Sequence, residues 1–212
     1  MSKKEFEEEY WTHHAQKLEE RHKLALELIG QPSSVLDLGC GDGLFLRNVN
    51  AKRKVGLELS ETAVKIARKK SIDARLFDFE HGKLPFRDNE FEVVTLLDVL
   101  EHTFQPHKQL RNVARVAKQV VITVPNFAFV VSRLQVLFGL VPSVLGERKG
   151  HVFYFTRGKL HEICRRAGVK IVKETYYFPL MHLPLIGWLS RAAGYLFPGF
   201  FATEFALLGE KK

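Results

Sequence analysis

The stretch VLDLGCGDGLFL, Val35 to Leu46, sets three glycines at alternate positions, Gly39, Gly41 and Gly43, between two apolar runs. Glycine lets the backbone turn left-handed and approach a bound group closely. The first amides of the following helix add unpaired N–H donors. The chemistry this suits is nucleotide binding. A dinucleotide fingerprint reads GxGxxG, but here the third glycine comes one residue early and Leu44 stands in its place. Two acids, Asp37 and Asp42, flank the turn, with Cys40 inside it. Carboxylates repel a pyrophosphate and attract a ligand that carries an ammonium and a sulfonium. The pattern therefore favours S-adenosylmethionine over a dinucleotide.

Two more acids follow at the ends of apolar runs. Glu58, beside Leu59, closes RKVGLEL about twenty residues beyond Gly39, where an acid can accept both ribose hydroxyls. Asp78 closes the next run and precedes Phe79. Its carboxylate suits an adenine amino group, and Phe79 offers backbone and an apolar wall. For proton transfer there are two histidines. His102 follows LLDVLE, where it can face a transferring methyl group or pack on the first turn of a helix. His151 precedes Phe153, Tyr154 and Phe155. Asp98, Glu101 and His102 fall at i, i+3 and i+4, so one helical turn presents them together. Together they could hold a divalent metal that fixes an oxygen acceptor, but a salt-bridging face explains these acids equally well, and no metal is expected. His13, His14 and His22 are expected on a solvated helix face. Tyr10 and Trp11 read as an aromatic lid or as helix-to-core packing.

The elements that must hold these residues alternate. Strands are expected over 33–38, 53–59, 73–78, 91–97, 119–124, 169–177 and 202–208. Helices are expected within 3–29, from 42, over 61–70 behind a Ser60 cap, over 107–116 and 127–138, and from a Thr156 cap to 167 before Gly168. Alternation of this kind predicts an α/β fold with a doubly wound, mostly parallel sheet. The two closing strands would form an antiparallel edge. The 212 residues read as one domain, 1–212, with an N-terminal helical cap over 1–30 and an apolar helical insertion over 178–201 before the last strand.

Composition narrows the classes further. A net charge of +8 invites a nucleic-acid reading, but Lys and Arg are dispersed over many segments, as on solvated helices, and no specific nucleic acid is expected. Cys40 and Cys164 lie too far apart in the chain for a disulfide framework or zinc site. Residues 120–145 and 176–201 are apolar but interrupted by Pro, Arg and His, so neither predicts a transmembrane segment. The second leaves room for peripheral membrane contact. The N-terminus lacks an apolar h-region, and a cytoplasmic location is expected. The oligomeric state is left open.

The ordered series VLDLGCGDG (35–43), GLEL (56–59), FDFE (77–80), LPFRDNEFEVV (84–94) and LLDVLEH (96–102) resembles the class I S-adenosylmethionine-dependent methyltransferases. That likeness implies a Rossmann-like, seven-stranded sheet with an antiparallel last strand. It implies that Asp37, Gly39, Gly41 and Gly43 cradle the methionine part, with Cys40 and Asp42 in the same turn. Glu58 with Leu59 would bind the ribose, Asp78 with Phe79 would frame the adenine, and Leu97 with Asp98 would line the methionine side. Within this class RVAKQVVITVPNF (115–127), the R-x-Q-x-L-x-G-x-x-P segment from Arg133 to Pro142, His151 and LFPGFFATEFALLGE are similar to MetW-type methionine-biosynthesis proteins. The implied activity is methyl transfer, by direct displacement, to a small-molecule or lipid- or quinone-like acceptor. The alternative is a non-catalytic, S-adenosylmethionine-binding regulatory partner of the MetW type. A nicotinamide-dependent oxidoreductase is the third reading.

Overall fold

The computed structural model describes residues 5, 8–9, 11, 17–78, 82–145, 150–179, 192 and 194–212. Along the chain run α1 (Glu20–Ile29), β1 (Ser34–Leu38), α2 (Leu44–Asn48), β2 (Arg53–Glu58), α3 (Glu61–Lys69), β3 (Asp73–Leu76) and β4 (Phe91–Leu97). A short 3-10 turn (Leu100–His102) leads to α4 (Pro106–Val116), β5 (Ala117–Pro125), α5 (Val130–Leu137), α6 (Arg157–Ala167), β6 (Val169–Tyr177), α7 (Pro198–Phe201) and β7 (Glu204–Lys211). The expected alternation is present, and the caps explain where helices begin. The Ser60 hydroxyl accepts the Ala63 amide at 3.1 Å, and the Thr156 hydroxyl accepts that of Lys159 at 3.2 Å. The first helix after the glycine turn starts at Leu44 rather than at 42, because residues 41 to 43 are consumed by the turn.

The described strands form one sheet of seven in the order β3-β2-β1-β4-β5-β7-β6. β1 pairs in parallel with both β2 and β4, so the winding reverses there and a crevice opens outside the ends of these strands. The last strand alone runs against its neighbours, as the resemblance implies. It does not lie at the margin. β7 inserts between β5 and β6, because Phe205, Ala206 and Leu207 are wholly buried and need cover on both faces. β6 takes the edge, where Lys170 and Lys173 discourage pairing with another chain. The antiparallel direction of β7 has a consequence for the site. Its first residue, Glu204, registers with Pro125 at the end of β5 and so lands at the C-terminal edge of the parallel strands.

Alternate strand residues feed two cores. Leu36, Leu96 and Ile122 pack beneath Leu110 and Val113 of α4 and Leu160 and Ile163 of α6. Val35, Val93 and Val121 pack on the other face with Leu24, Ala25 and Leu28 of α1 and Phe45 and Leu46 of α2. His22 belongs to this second layer. It is buried, stacks on Phe45 and accepts the Glu19 amide through Nδ1 at 3.0 Å. The expectation of a solvated His22 is therefore corrected: the helix turns it inward, and burial beside Arg21 lowers its pKa to about 4. Among the described residues no helix is long and apolar enough to cross a membrane. Of the cap over 1–30, His13 and His14 lie outside the described residues, as does Tyr10. Most of the insertion over 178–201 lies outside them too.

Gly56 in β2 makes room for the turn above it. A Cβ there would stand 2.4 Å from Cys40 Sγ and 2.8 Å from Cys40 Cβ. Gly56→Ala is expected to lower stability by about 1–3 kcal/mol through overpacking. Adding Cys40→Ala should recover part of that loss, as read by chemical denaturation of the single and double variants.

Candidate functional site

The glycine turn leaves β1 with Gly39, Gly41 and Gly43 all at positive φ. Gly39 and Cys40 donate their amides to the Leu57 carbonyl at 2.8 and 3.1 Å, which stitches the turn to the end of β2. At Gly41 the absent side chain matters most, because a Cβ would lie 2.4 Å from the Trp11 indole. The N-terminal segment thus folds back over this edge. Trp11 is buried against the turn, and the Glu8 carboxylate accepts the amides of Glu61 and Thr62 at the start of α3.

Asp37 is 2% exposed and accepts the Thr95 hydroxyl at 2.5 Å. Burial pushes its carboxyl up to about 7, with the negative charge of Glu58 adding and the Thr95 bond opposing. Glu58 is also buried. Its Oε2 accepts the Gly41 amide at 3.0 Å, and its Oε1 accepts those of Leu59 and Ser60 at 2.6 and 2.9 Å. Burial raises its pKa, and these three amides hold the rise down. Asp42 has a different setting from the one its position in the turn suggested. Its carboxylate accepts the Leu44 amide and pairs with Lys70, so its charge is matched within the protein. The Cys40 side chain points into the core against Gly56, and burial pushes its thiol well up. Asp78 is exposed just past the end of β3, and Phe79 lies outside the described residues.

At the end of β4, Leu97 is buried and Asp98 sits at φ 55, a left-handed conformation that only a few side chains tolerate. Thr123 of β5 holds it there. Its hydroxyl and carbonyl accept the Asp98 amide at 3.0 and 3.2 Å, and its hydroxyl donates to Asp98 Oδ1 at 2.8 Å. Arg21 of α1 donates to Asp98 Oδ2 at 3.1 Å. The expected i, i+3, i+4 face therefore divides. Asp98 turns to Arg21, while Glu101 and His102 in the 3-10 turn meet His151 from a distant loop. The His102 and His151 rings lie 5.0 Å apart, edge to face, and His151 Nε2 stands 3.9 Å from Glu101 Oε1. His102 Nδ1–H donates to the Gly150 carbonyl at 3.1 Å.

The two histidines read from the sequence as separate candidates thus form one cluster. Glu101 was expected beside His102 on one turn, whereas Glu204, at the same edge, was not singled out in the sequence. Glu101 is 1% exposed, and burial with the nearby charge of Asp98 pushes its carboxyl well above the usual range. Glu204 is pushed up to about 9 by burial and by Asp98. The adjacency of Glu101 to His102 was visible in LEH, whereas Glu204 carries no local signal because only the insertion of β7 brings it to this edge. Asp37, Glu58, Asp98, Glu101 and Glu204 all face the crevice edge of a chain whose net charge is +8. The buried acids beside the side-chain-free glycine turn fit a cationic adenosyl cofactor.

Comparison with known proteins bears on this geometry. The family described as methionine biosynthesis protein MetW matches residues 19–183. The bifunctional methionine biosynthesis protein MetXA/MetW of Rhodopirellula baltica is 31% identical over 115 residues, 49% of this chain, and the match spans 18% of that protein's length. The ubiquinone biosynthesis O-methyltransferase of Aromatoleum aromaticum is 25% identical over 170 residues, covering 72% of this chain and 71% of that one. Among solved structures, an S-adenosylmethionine-dependent methyltransferase from Archaeoglobus fulgidus superposes with a TM-score of 0.65 at 18% identity, over 90% of this chain and 91% of that one. With the class I methyltransferase sheet order in place and the family match spanning most of its length, the chain belongs to the methionine biosynthesis protein MetW family.

Proposed function

We propose that this chain is an S-adenosylmethionine-dependent methyltransferase that moves a methyl group by direct displacement to a small-molecule or lipid-like acceptor. The observation that carries the reading is the gathering of acids around the glycine turn at the point where the sheet reverses. That field repels a dinucleotide's pyrophosphate and attracts a sulfonium and an ammonium. When bound, S-adenosylmethionine supplies a methyl group already activated by the positive charge on sulfur.

The residues divide the remaining work. Asp37, Gly39, Gly41, Gly43, Leu97 and Asp98 hold the methionine part. Glu58 and Leu59 hold the ribose, and Asp78 with Phe79 holds the adenine. Cys40 and Asp42 keep the shape of the turn, the first by packing on Gly56 and the second through Lys70 and the Leu44 amide. Residues 1–30 act as a cap that excludes water, an assignment supported by Trp11 on Gly41 and Glu8 on α3. His102 is the proton acceptor, supported by His151. With Nδ1–H committed to Gly150, its lone pair is on Nε2. An apolar acceptor is supported by exposed Leu134, Leu137 and Phe138 at α5 and by Leu196 and Phe197, with Arg133 of α5 lying 5.4 Å over the Phe200 ring. The relative named for ubiquinone biosynthesis supports the same acceptor class.

A second reading is a cofactor-binding regulator of another enzyme. It is favoured by the relative whose name joins MetW to MetXA in one bifunctional chain. Calorimetric titration with S-adenosylmethionine and with a nicotinamide dinucleotide separates cofactor classes. Binding of the dinucleotide alone would overturn both readings. Incubation with S-adenosylmethionine and a panel of catechols and short-chain quinols, followed by mass spectrometry, then separates enzyme from regulator. Methylated product is expected, and binding without transfer to any acceptor favours the regulator.

Glu58→Ala is expected to weaken S-adenosylmethionine binding at least about tenfold, because it removes a charged acceptor and frees the Gly41 amide. Asp37 makes two pH predictions. Its folded-state pKa of about 7 lies above the ordinary 3.8, so in that window the folded chain keeps a proton that the unfolded chain has released. Its stabilising contribution is full below about pH 4 and is lost as the pH rises through 7. Asp37→Asn should therefore melt higher than the parent at pH 8, by about 2–4 °C per kcal/mol recovered, with a flatter profile between pH 4 and 7. Cofactor affinity has the opposite slope, since a cation selects the ionised carboxylate. It should fall by up to about tenfold per pH unit below 7 in the parent and stay flat in Asp37→Asn.

A further inference from the structure

We infer that Glu101, His102 and His151 form a binding site for one divalent transition-metal ion of the zinc class. One ligand atom from each of the three residues lies within 4.8 Å of the others. The strongest sign that a cation belongs there is Glu101. It is almost fully buried, and neither carboxylate oxygen has a hydrogen-bond partner among the described residues. Its nearest ion-pair contact, His151 Nε2 at 3.9 Å, is too long for a hydrogen bond. Buried carboxylates are paired or bound to metal, because an unmatched one loses its hydration without compensation. Arg21, whose charge reaches Glu101, is committed to Asp98 and Glu19.

The backbone around the cluster is built to hold its geometry. The amides of Val152 and Phe153 both donate to the Glu101 carbonyl at 2.9 Å. The loop carrying His151 is thereby clamped to the turn carrying Glu101 and His102. His102 Nδ1–H on the Gly150 carbonyl selects the tautomer whose Nε2 carries the lone pair, which is how metal-ligating histidines are commonly oriented. Two imidazole nitrogens and one carboxylate oxygen form a donor set suited to zinc and its neighbours in the first transition row. Metal–ligand bonds near 2.0–2.1 Å put tetrahedral ligand atoms about 3.3 Å apart. The ligand atoms, now within 4.8 Å of one another, would draw together on the ion.

Three protein ligands would leave a fourth position for water or an acceptor oxygen. With a cation in place the His102 lone pair would serve as a ligand instead of as the proton acceptor, and the metal would polarise an acceptor oxygen. That use rests on the methyl-transfer reading, whereas occupancy of the site does not.

The test uses the full chain, stripped with a chelator and titrated with Co²⁺ alone. Visible d–d absorption reports coordination geometry, and calorimetry with Zn²⁺ reports stoichiometry. One equivalent bound, with the absorption of a four- or five-coordinate nitrogen–oxygen site, is expected. Glu101→Gln and His151→Ala should each weaken binding at least tenfold. His161→Ala, which removes a distant histidine paired with Glu174, should leave it unchanged. Circular dichroism checks that each variant is folded, and His102→Ala replaces any that is not. Less than one equivalent bound by the parent chain, or parental affinity in folded Glu101→Gln, overturns the site. A parallel titration of the metal-free chain with S-adenosylmethionine keeps the two readings apart. Cofactor binding without metal binding overturns only the metal site.

Discussion

The Glu58 carboxylate holds the glycine turn to the sheet. It accepts the Gly41 amide with one oxygen and the Leu59 and Ser60 amides with the other, so a single buried acid spans the ends of β1 and β2. Without it, three residues at positive φ would hang above the strands with little but the Leu57 carbonyl to register them. The arrangement demands a buried charge, and the amides that surround it compensate only in part, so its pKa stays raised. Asp37 shares the same low-dielectric pocket, and each acid makes the other harder to ionise. Both acids hold a proton more readily than a surface carboxyl, and a bound cation would favour their ionised forms.

That constraint extends along the whole edge. The winding reverses at β1, which places the ends of β1 and β4 side by side, and the antiparallel β7 carries Glu204 to the same rim. Asp98 is neutralised by Arg21 and locked by Thr123 in a left-handed conformation, a strained position that functional sites often retain. The Glu101 carboxylate has no hydrogen-bond partner among the described residues and lies beside two imidazoles. The edge thus has two zones. One lies over the glycine turn, where acids are met by amides. The other lies beyond β4, where an acid is met by histidines. The N-terminal segment covers the first zone through Trp11.

Much of the fold was legible because local signals agreed with the global one. β4 and β6 match their expected limits, and Ser60, Thr156 and Gly168 cap helices where turn chemistry placed them. The placement of the candidate residues was legible where they follow a strand end: Asp37, the glycines, Glu58 and Asp98 all stand at the crevice. Surroundings were not legible where charge alone was the guide. Asp42 has the right sign and neighbourhood, yet Lys70, folded back from the end of α3, takes its charge. His22 looked polar and solvated, yet the packing of α1 on Phe45 turned it inward.

The sequence by itself determined the alternation of strands and helices, the glycine turn and the acids at the strand ends. These depend on short-range periodicity and on residues that need a particular backbone. Tertiary structure alone decided that β7 inserts between β5 and β6, that Asp98 belongs to Arg21, and that His151 closes on Glu101 and His102. Each of those depends on which segments, distant in the chain, bury apolar surface together. Hydrophobic packing chooses the neighbours, and the polar groups carried along with them then meet partners that no local spacing announces.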